Sequence, residues 1–290
     1  MKVLVTGSSG HVGGAIARYL HDRGHTVVGM SRRRAALPEA IQQISTDISV
    51  PEFLVRAFVE PEPFDAIVHA AAVLSKAPFN PVTSVVNGVG THQVLRLAHE
   101  LQVRSFVFIS GVAVIGQPAE SPITEAHPVA PKTAYHASKL YGEHLTAIAR
   151  EAGIPSVVLR LTAPIGPGTP RGRILTHFVE RALRGEPLVL HGNGTRRQNY
   201  VDVRDAAKAT ATCIERGVTG LYNISGNETV SNHELAQRCI AVLSSGSEVV
   251  FSGEPDPDDA VSWEVSSQAA TEAFGYAPEH SLEASIQSMK

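Results

Sequence analysis

The chain has 290 residues, about twice a typical ~150-residue domain, with 43% apolar and 18% charged residues, which excludes disordered and fibrous classes. Twenty-five basic residues against 28 acidic ones leave a net charge of −3. No global field gathers nucleic acid or an anionic membrane, so neither is expected as a partner.

Residues 2–6 (KVLVT) form a short apolar run ending in glycines, and from Val12 the period changes: Val12, Ala15, Ile16, Tyr19 and Leu20 recur at helical spacing up to Gly24. A strand, a tight turn and an amphipathic helix are predicted in that order. TVVGM at 26–30 predicts a second strand, and β-rich runs at 64–71, 105–110 and 156–161 alternate with helical stretches at 81–101 and 133–152. Such alternation implies crossover units and hence an α/β fold, a Rossmann-type doubly wound parallel sheet covered on both faces. Beyond about residue 165 proline and glycine become dense (PIGPGTPRGR, then HGNGT). A helix over 173–185, a strand over 187–190, a helix over 203–216 and a strand over 221–224 are predicted there. A further helix opens at Ser231, where Ser231 and Glu234 have capping-box spacing. The expected organisation is a dinucleotide-binding domain over 1–165 and a smaller α/β substrate lobe over 166–290, with the chain free to cross back to the sheet. Its loops would close over the carboxyl edge of the strands, where ligands of open α/β sheets bind.

Cys213 and Cys239 fall in predicted helices, with no CxxC or Cys/His cluster, so buried free thiols and no metal site are expected, as suits a reducing cytoplasm. No apolar run approaches the ~18 residues of a membrane span, and the opening MKVLVTG lacks a cleavable-signal pattern. A cytoplasmic location is the expectation.

Thr6-Gly7-Ser8-Ser9-Gly10-His11-Val12-Gly13 places glycines at GxxGxxG spacing between the first strand and its helix. Backbone N–H groups at such a helix start can approach a pyrophosphate without Cβ obstruction, so Gly7, Ser9, Gly10, His11 and Val12 are candidate dinucleotide contacts. The end of the second strand discriminates between the two nicotinamide dinucleotides: an acid there bonds the adenosine ribose of NAD and repels the extra phosphate of NADP. Here the run is Ser31-Arg32-Arg33-Arg34. Guanidinium groups match phosphate geometry, so Ser31, Arg32 and Arg33 favour NADP(H); NAD(H) remains open if the arginines only cover a solvated helix start.

On the helix from Thr133, Tyr135 and Lys139 stand at i and i+4 and share a face, with Ser138 and Gly142 beside them. Ala137, Leu140, Tyr141, His144 and Ile148 form the opposite face, suited to packing on the sheet or to a dimer seam. A tyrosine ionises near pH ~10, so acting as a base near neutrality requires a shift of about three units, or roughly 4 kcal/mol. A lysine ammonium one turn away and an oxidised nicotinamide could supply it. Taken alone, YxxxK is common on any helix.

Here it has company. TGSSGHVG at the first turn is followed by Asp47-Ile48, HAAA at 69–72, Asn87-Gly88-Val89-Gly90-Thr91, YHASK at 135–139, LRLTAPIGPG at 159–168, and HGNGT with YVDVRD at 191–205. With these motifs in order the chain resembles the extended short-chain dehydrogenase/reductase superfamily, specifically the NAD-dependent epimerase/dehydratase family of sugar-nucleotide epimerases, dehydratases and keto-reductases. The resemblance implies Tyr135 as acid/base and Lys139 as the residue that holds the nicotinamide ribose. It further implies adenine contacts at Asp47 and Ile48, and cofactor contacts at Ala70, Ala71, Ala72, Asn87, Pro164 and Ile165. A homodimer through the helices at 81–101 and 133–152 is implied as well.

Four departures accompany the resemblance. The family's catalytic Ser/Thr, five positions before the closing glycine of VFISGVAVIG (107–116), is Gly111 here. Ser110 precedes it, and its side chain can serve only if the strand ends or bulges there; a hydroxyl supplied by the substrate, or none, is the alternative. Ile115 replaces the usual tyrosine and would make the pocket more apolar. Ala163 stands for an asparagine, and Gln198 for the arginine that grips a nucleotide-sugar diphosphate. Arg196 and Arg197, with Arg171 and Arg173 from another loop, take over that grip or face solvent. The expected function is an oxidoreductase passing a hydride between NADP(H) and a ketone or secondary alcohol of a sugar, sugar nucleotide or similar polyhydroxylated small molecule. The alternatives are a sugar-nucleotide epimerase that retains NAD(H) and a catalytically silent cofactor-binding regulator.

Overall fold

The computed structural model describes residues 1–53, 63–75, 77 and 80–290. β1 (Lys2–Thr6) ends in the glycine turn, and α1 (His11–Asp22) follows with Gly10 as its N-cap and no side-chain cap. β2 (Thr26–Ser31), β3 (Gln42–Ser45) and β4 (Ala66–His69) come next. α2 (Pro81–Ser84) starts at Asn80, whose side chain accepts from the Val82 N–H, and runs through a π-helical turn at Val85–Val89 into α3 (Gly90–Glu100). β5 (Ser105–Gly111) leads into a tight turn of 3-10 helix at Val112–Ile115. α4 (Ala134–Glu151) is capped by the Thr133 hydroxyl, which accepts from the His136 N–H, and β6 (Ser156–Leu161) follows.

The remainder comprises β7 (Ala163–Ile165), α5 (Ile174–Leu183), β8 (Leu188–Leu190), β9 (Arg197–Asp202), α6 (Val203–Arg216) and β10 (Gly220–Ile224). Then come β11 (Thr229–Ser231), α7 (Asn232–Val242), β12 (Val249–Phe251), α8 (Gln268–Phe274) and α9 (Leu282–Gln287). The expected capping box forms: the Glu234 N–H donates to the Ser231 hydroxyl at 3.0 Å and the Ser231 N–H to the Glu234 carboxylate at 2.7 Å.

Seven strands make one parallel sheet in the order β3-β2-β1-β4-β5-β6-β10. Residues 203–224 thus belong to the sheet layer although they follow residue 165, with β10 on the edge beside β6. Side chains alternate along each strand. Val3, Val5, Val107, Ile109, Val157 and Leu159 pack with α1 and α6 on one face, while Leu4, Ile67, Phe106, Phe108 and Val158 pack with α3 and α4 on the other. A separate core of Ile165, Leu175, Phe178, Leu188, Leu235 and Ile286 holds the smaller lobe together. Cys213 and Cys239 are buried free thiols, each with its pKa pushed up to about 12 by burial.

One helical face departs from expectation. The side of α4 against the sheet carries Lys139, Gly142, Glu143, Thr146 and Ala149, whereas Tyr141 and Ile148 are exposed, as are Val82, Val85 and Val89 on α2 and its π-helical turn. Gly142 permits this packing, since a Cβ there would come within 2.3 Å of the Phe108 ring. Tyr141 and Ile148 are therefore not sheet-packing residues, because the polar-bearing face took that place.

Strand order reverses between β1 and β4, and the crevice outside the carboxyl ends at such a switch is where α/β sheets bind ligands. Register aligns those ends: Thr6 lies opposite both Met30 and His69, so Gly7, Ser31 and Ala70 emerge side by side. Ser110 and Gly111 lie opposite Arg160 and Leu161, and Leu161 lies opposite Ile224.

Candidate active site

The first of two clefts at this edge has a volume of about 800 Å³ and is lined by Gly7, Ser9, Gly10, Ser31, Arg32, Arg33, Arg34, Asp47, Ile48 and Ala70–Val73, among others. Gly7 has φ +72, and a Cβ on it would lie 2.6 Å from the Ala71 backbone; one on Gly13 would lie 2.4 Å from the Gly7 carbonyl. These two glycines serve the loop's own packing. A Cβ on Gly10 would meet only the Gly7 oxygen, at 3.2 Å, so Gly10 instead leaves the mouth of α1 open. With no side-chain cap and no acid in the first turn of α1, its leading N–H groups suit an anion. The cradle fits the pyrophosphate of a dinucleotide. Asp47 is spent locally, accepting from the Ser49 N–H at 2.9 Å and hydroxyl at 2.6 Å. Burial pushes its carboxyl up, but the Ser49 bonds and Arg32 outweigh that and hold it below the ordinary range.

A buried hydrogen-bond chain explains the HAAA and NxxGT motifs. The Thr91 hydroxyl donates to the Asn87 carbonyl at 2.6 Å and accepts from His69 Nε2 at 2.9 Å. His69 Nδ1 then accepts from the Thr6 hydroxyl at 2.7 Å. Burial, then the Lys139 charge, lower the His69 pKa to about 3, which keeps the ring neutral. Asn87 accepts from the Val73 N–H at 2.7 Å and donates to the Ser138 hydroxyl at 2.9 Å. The side chain of Asn87 therefore does not line the cleft; it ties the loop after β4 to α4, a correction to its expected role as a cofactor contact.

The second cleft, about 430 Å³, shares Ala70 and Ala72 with the first and contains Tyr135, Lys139, Ser110, Gly111, Val12 and Pro164. Lys139 Nζ donates to the Ile109 carbonyl at 2.7 Å and lies 4.9 Å from the centre of the Phe108 ring. Burial lowers its pKa to about 8, against an upward pull from Glu143. Burial raises the Tyr135 pKa and the Arg173 guanidinium opposes that, so the phenol is held neutral at physiological pH.

The strand neither ends nor bulges before Gly111, which is the condition set for Ser110. Alternation sends the Ser110 side chain toward α4, where its hydroxyl donates to Glu143 at 2.5 Å. Glu143 in turn pairs with Arg160 at 2.7 Å, both side chains at most 5% exposed. The geometry thus gives the Ser110 hydroxyl a partner other than substrate.

Other expected contacts divide. Gly111, Arg196 and Gln198 line the second cleft, as do Ala163 and Arg173. Arg197 instead bonds the Thr229 carbonyl at 2.5 Å and Glu234 at 3.4 Å, and Arg171, 92% exposed, pairs with Glu180 at 3.1 Å. Neither reaches this cleft. His11 lines neither cleft; burial and then Arg173 lower its pKa to about 4, against upward pulls from the Pro167 backbone and Asp202. Ile165 is buried in the lobe core and Ile115 in a satellite cluster with Val112, Val114, Ile123 and Val265. Ile115 therefore does not make the pocket apolar; Val112, Val114, Leu74, Trp263 and Val265 do. Trp263 and Leu74 escaped the sequence reading because loops far apart in the chain deliver them.

The family profile described as the NAD-dependent epimerase/dehydratase family matches residues 3–225. The chain belongs to this family. It is 28% identical over 297 residues to UDP-glucuronic acid decarboxylase 2 of Arabidopsis thaliana, covering 97% of this chain but 66% of that protein, slightly less than two thirds of its length. Identity to the UDP-glucose 4-epimerase of Corynebacterium glutamicum is 27% over 307 residues, covering 97% of this chain and 92% of that one. Among solved structures, the Thermus thermophilus UDP-glucose 4-epimerase in complex with NAD superposes with a TM-score of 0.88 at 27% identity, covering 100% of this chain and 97% of the other. Within this epimerase/dehydratase fold, the two clefts meet at Ala70 and Ala72, so a ligand laid along the first ends beside Tyr135. Among the described residues no helix is long and apolar enough to cross a membrane, and no His/Cys/Asp/Glu group could hold a metal ion.

Proposed function

We propose that the chain is an NAD(P)-dependent oxidoreductase acting on a ketone or secondary alcohol of a small molecule, with Tyr135 as the proton donor and acceptor. The observation that carries this is the meeting of the two clefts: the open mouth of α1 lies in one, and Tyr135 and Lys139 project into the other. A nicotinamide dinucleotide, when bound, supplies the hydride acceptor or donor. The neutral Tyr135 hydroxyl is in the form that donates a proton to a developing alkoxide, and Lys139, fixed by the Ile109 carbonyl, presents its ammonium from one helical turn away. Asn87, Ser138 and the His69 chain hold the wall formed by residues 70–73. NADP(H) is preferred, because exposed Arg32, Arg33 and Arg34 line the cleft at the end of β2 and, among the described residues, none has an ion-pair partner. Exposed Val82, Val85, Val89, Tyr141 and Ile148, on α2, its π-helical turn and the neighbouring α4, support a homodimer, and the two unpaired thiols fit a cytoplasmic location.

Sugars and sugar nucleotides are the substrate class the family points to. A second reading, epimerisation with retained NAD(H), is supported by the likeness to an epimerase bound to NAD, and would show as cofactor absorbance in the purified protein. The test is a panel of ketones, keto-sugars and nucleotide keto-sugars offered with NADPH and NADH and read by loss of reduced-nicotinamide absorbance. Tyr135→Phe should keep dinucleotide affinity while turnover falls ~10²-fold or more; near-normal turnover would end the proposal. Arg32→Ala with Arg33→Ala should erase most of the NADP preference, and equal affinity of the parent for both dinucleotides would refute that part.

A further inference from the structure

The cleft beside Tyr135 offers a poor seat for a diphosphate. Gripping two phosphates takes guanidinium groups free to fork onto their oxygens. Arg171 and Arg197 are turned elsewhere. Arg196 reaches the cleft with its buried Nε unpartnered, but Asp258 pairs with its Nη1 at 3.2 Å and cancels its charge. Asp258 lies in the segment 254–259, which carries four carboxylates, Glu254, Asp256, Asp258 and Asp259. Asp259 clamps that segment onto the Gly192–Thr195 loop, accepting from the Asn193 N–H at 2.5 Å and the Thr195 N–H at 2.9 Å. Gln198 beside them is neutral. A diphosphate approaching Arg196 therefore meets fixed negative charge.

Arg173 is differently placed. It lines the cleft and reaches the Pro164 carbonyl at 3.4 Å, and among the described residues no carboxylate lies in ion-pair range of it. Its field is felt at Tyr135. The cleft also carries polar groups such as Thr162, His136 and Asn199, but Val112, Val114, Trp263 and Val265 give it apolar wall, and Leu74, 64% exposed, adds a position an apolar ligand would cover. At about 430 Å³ the space is at the small end of ligand clefts, which run ~300–1,000 Å³, and it must also admit the nicotinamide.

We propose that the substrate of this cleft is a compact ketone or secondary alcohol bearing one carboxylate and an apolar arm, with the carboxylate paired to Arg173 and the arm against Leu74 and Trp263, and that nucleotide-diphosphate sugars are excluded. This rests on the oxidoreductase reading above and narrows its substrate.

Trp263 is the single tryptophan of the chain, so its fluorescence reports occupancy without turnover. So that no ligand can turn over, the full chain is saturated with oxidised dinucleotide for phenylpyruvate, its methyl ester, UDP and UDP-glucose, and with reduced dinucleotide for phenyllactate, and is then titrated with each. Phenylpyruvate and phenyllactate should bind, and the ester about tenfold or more weaker, because it lacks the charge-assisted pair. UDP and UDP-glucose should give no response at millimolar concentration. Arg173→Gln should bring the acids down to the ester's affinity and leave the ester and the dinucleotide, measured by calorimetry, within about twofold of the parent. Silence toward both acids, tighter binding of UDP or UDP-glucose, or an Arg173→Gln defect confined to the dinucleotide would each overturn the proposal. Failure of the oxidoreductase reading would register separately, as absent dinucleotide binding or as unchanged turnover in Tyr135→Phe.

Discussion

Glu143→Gln tests the buried support beneath the active helix. Glu143 and Arg160 are 4% and 5% exposed, joined by contacts of 2.7, 3.0 and 3.2 Å, and Ser110 adds a hydrogen bond of 2.5 Å. The amide keeps the shape of the carboxylate but removes its charge. One terminal atom becomes a donor, which a guanidinium cannot accept, and the Arg160 charge is left buried without a counter-ion. Breaking such a pair from one side costs about 3–5 kcal/mol, which at ~2–4 °C per kcal/mol for a chain of this size predicts a fall in Tm of roughly 6–20 °C. Adding Arg160→Met removes the stranded charge and should recover most of that loss, because an apolar replacement of a whole buried pair is often close to neutral. Urea unfolding of the two single variants and the double variant, followed by far-ultraviolet circular dichroism, closes the cycle. A Glu143→Gln loss below about 1 kcal/mol, or a double variant as unstable as the single, would refute the account of this pair as a mutually dependent buried unit.

Gly13→Ala should destabilise the fold by about 1–3 kcal/mol, since its Cβ has only backbone to displace. Gly10→Ala should melt close to the parent but bind dinucleotide more weakly, and equal behaviour of the two in calorimetry would contradict the division of roles between those glycines. Lys139 has its pKa lowered from 10.5 to about 8, so between those pH values the unfolded chain holds a proton that the folded chain has released. Stability relative to Lys139→Met should therefore rise by about 3 kcal/mol from pH 8 to 10.5, and a flat difference in urea midpoints would exclude it. Gly111→Ser should fold without strain, because the backbone there is extended (φ −142, ψ 143) and a Cβ meets only the Leu161 carbonyl at 3.7 Å. It should raise turnover of a ketone by about tenfold if a second hydrogen-bond donor to the reacting oxygen is what the site lacks, whereas Ser110→Ala should leave turnover unchanged.

Features set by neighbours a few residues apart were readable before any coordinates. The strand, glycine turn and helix of residues 2–22 follow from a change of hydrophobic period, and Tyr135 and Lys139 share a face because a helix repeats every 3.6 residues. The capping box at Ser231 is likewise local. Short strands such as β3, β7, β11 and β12 have three or four residues each, too few to show a period, and they exist because a neighbour pairs with them. Periodicity also does not say which helical face meets the sheet: on α4 the apolar Tyr141 and Ile148 face outward because Glu143 finds Arg160 and Ser110 across the packed interface.

The same limit applies to the substrate. Arg171, Arg173, Arg196 and Arg197 look equivalent as letters in two glycine-rich loops, yet only the fold reveals that three have carboxylate partners while Arg173, in the cleft with Tyr135, has none among the described residues. What distinguishes them is the position of Glu180, Glu234 and Asp258, between 9 and 62 residues away along the chain. The proposed reaction type is legible in motifs because hydride and proton transfer would depend on one helix and one turn. The substrate depends on which charges remain uncancelled after five separate segments meet, and that sum exists only in the folded chain.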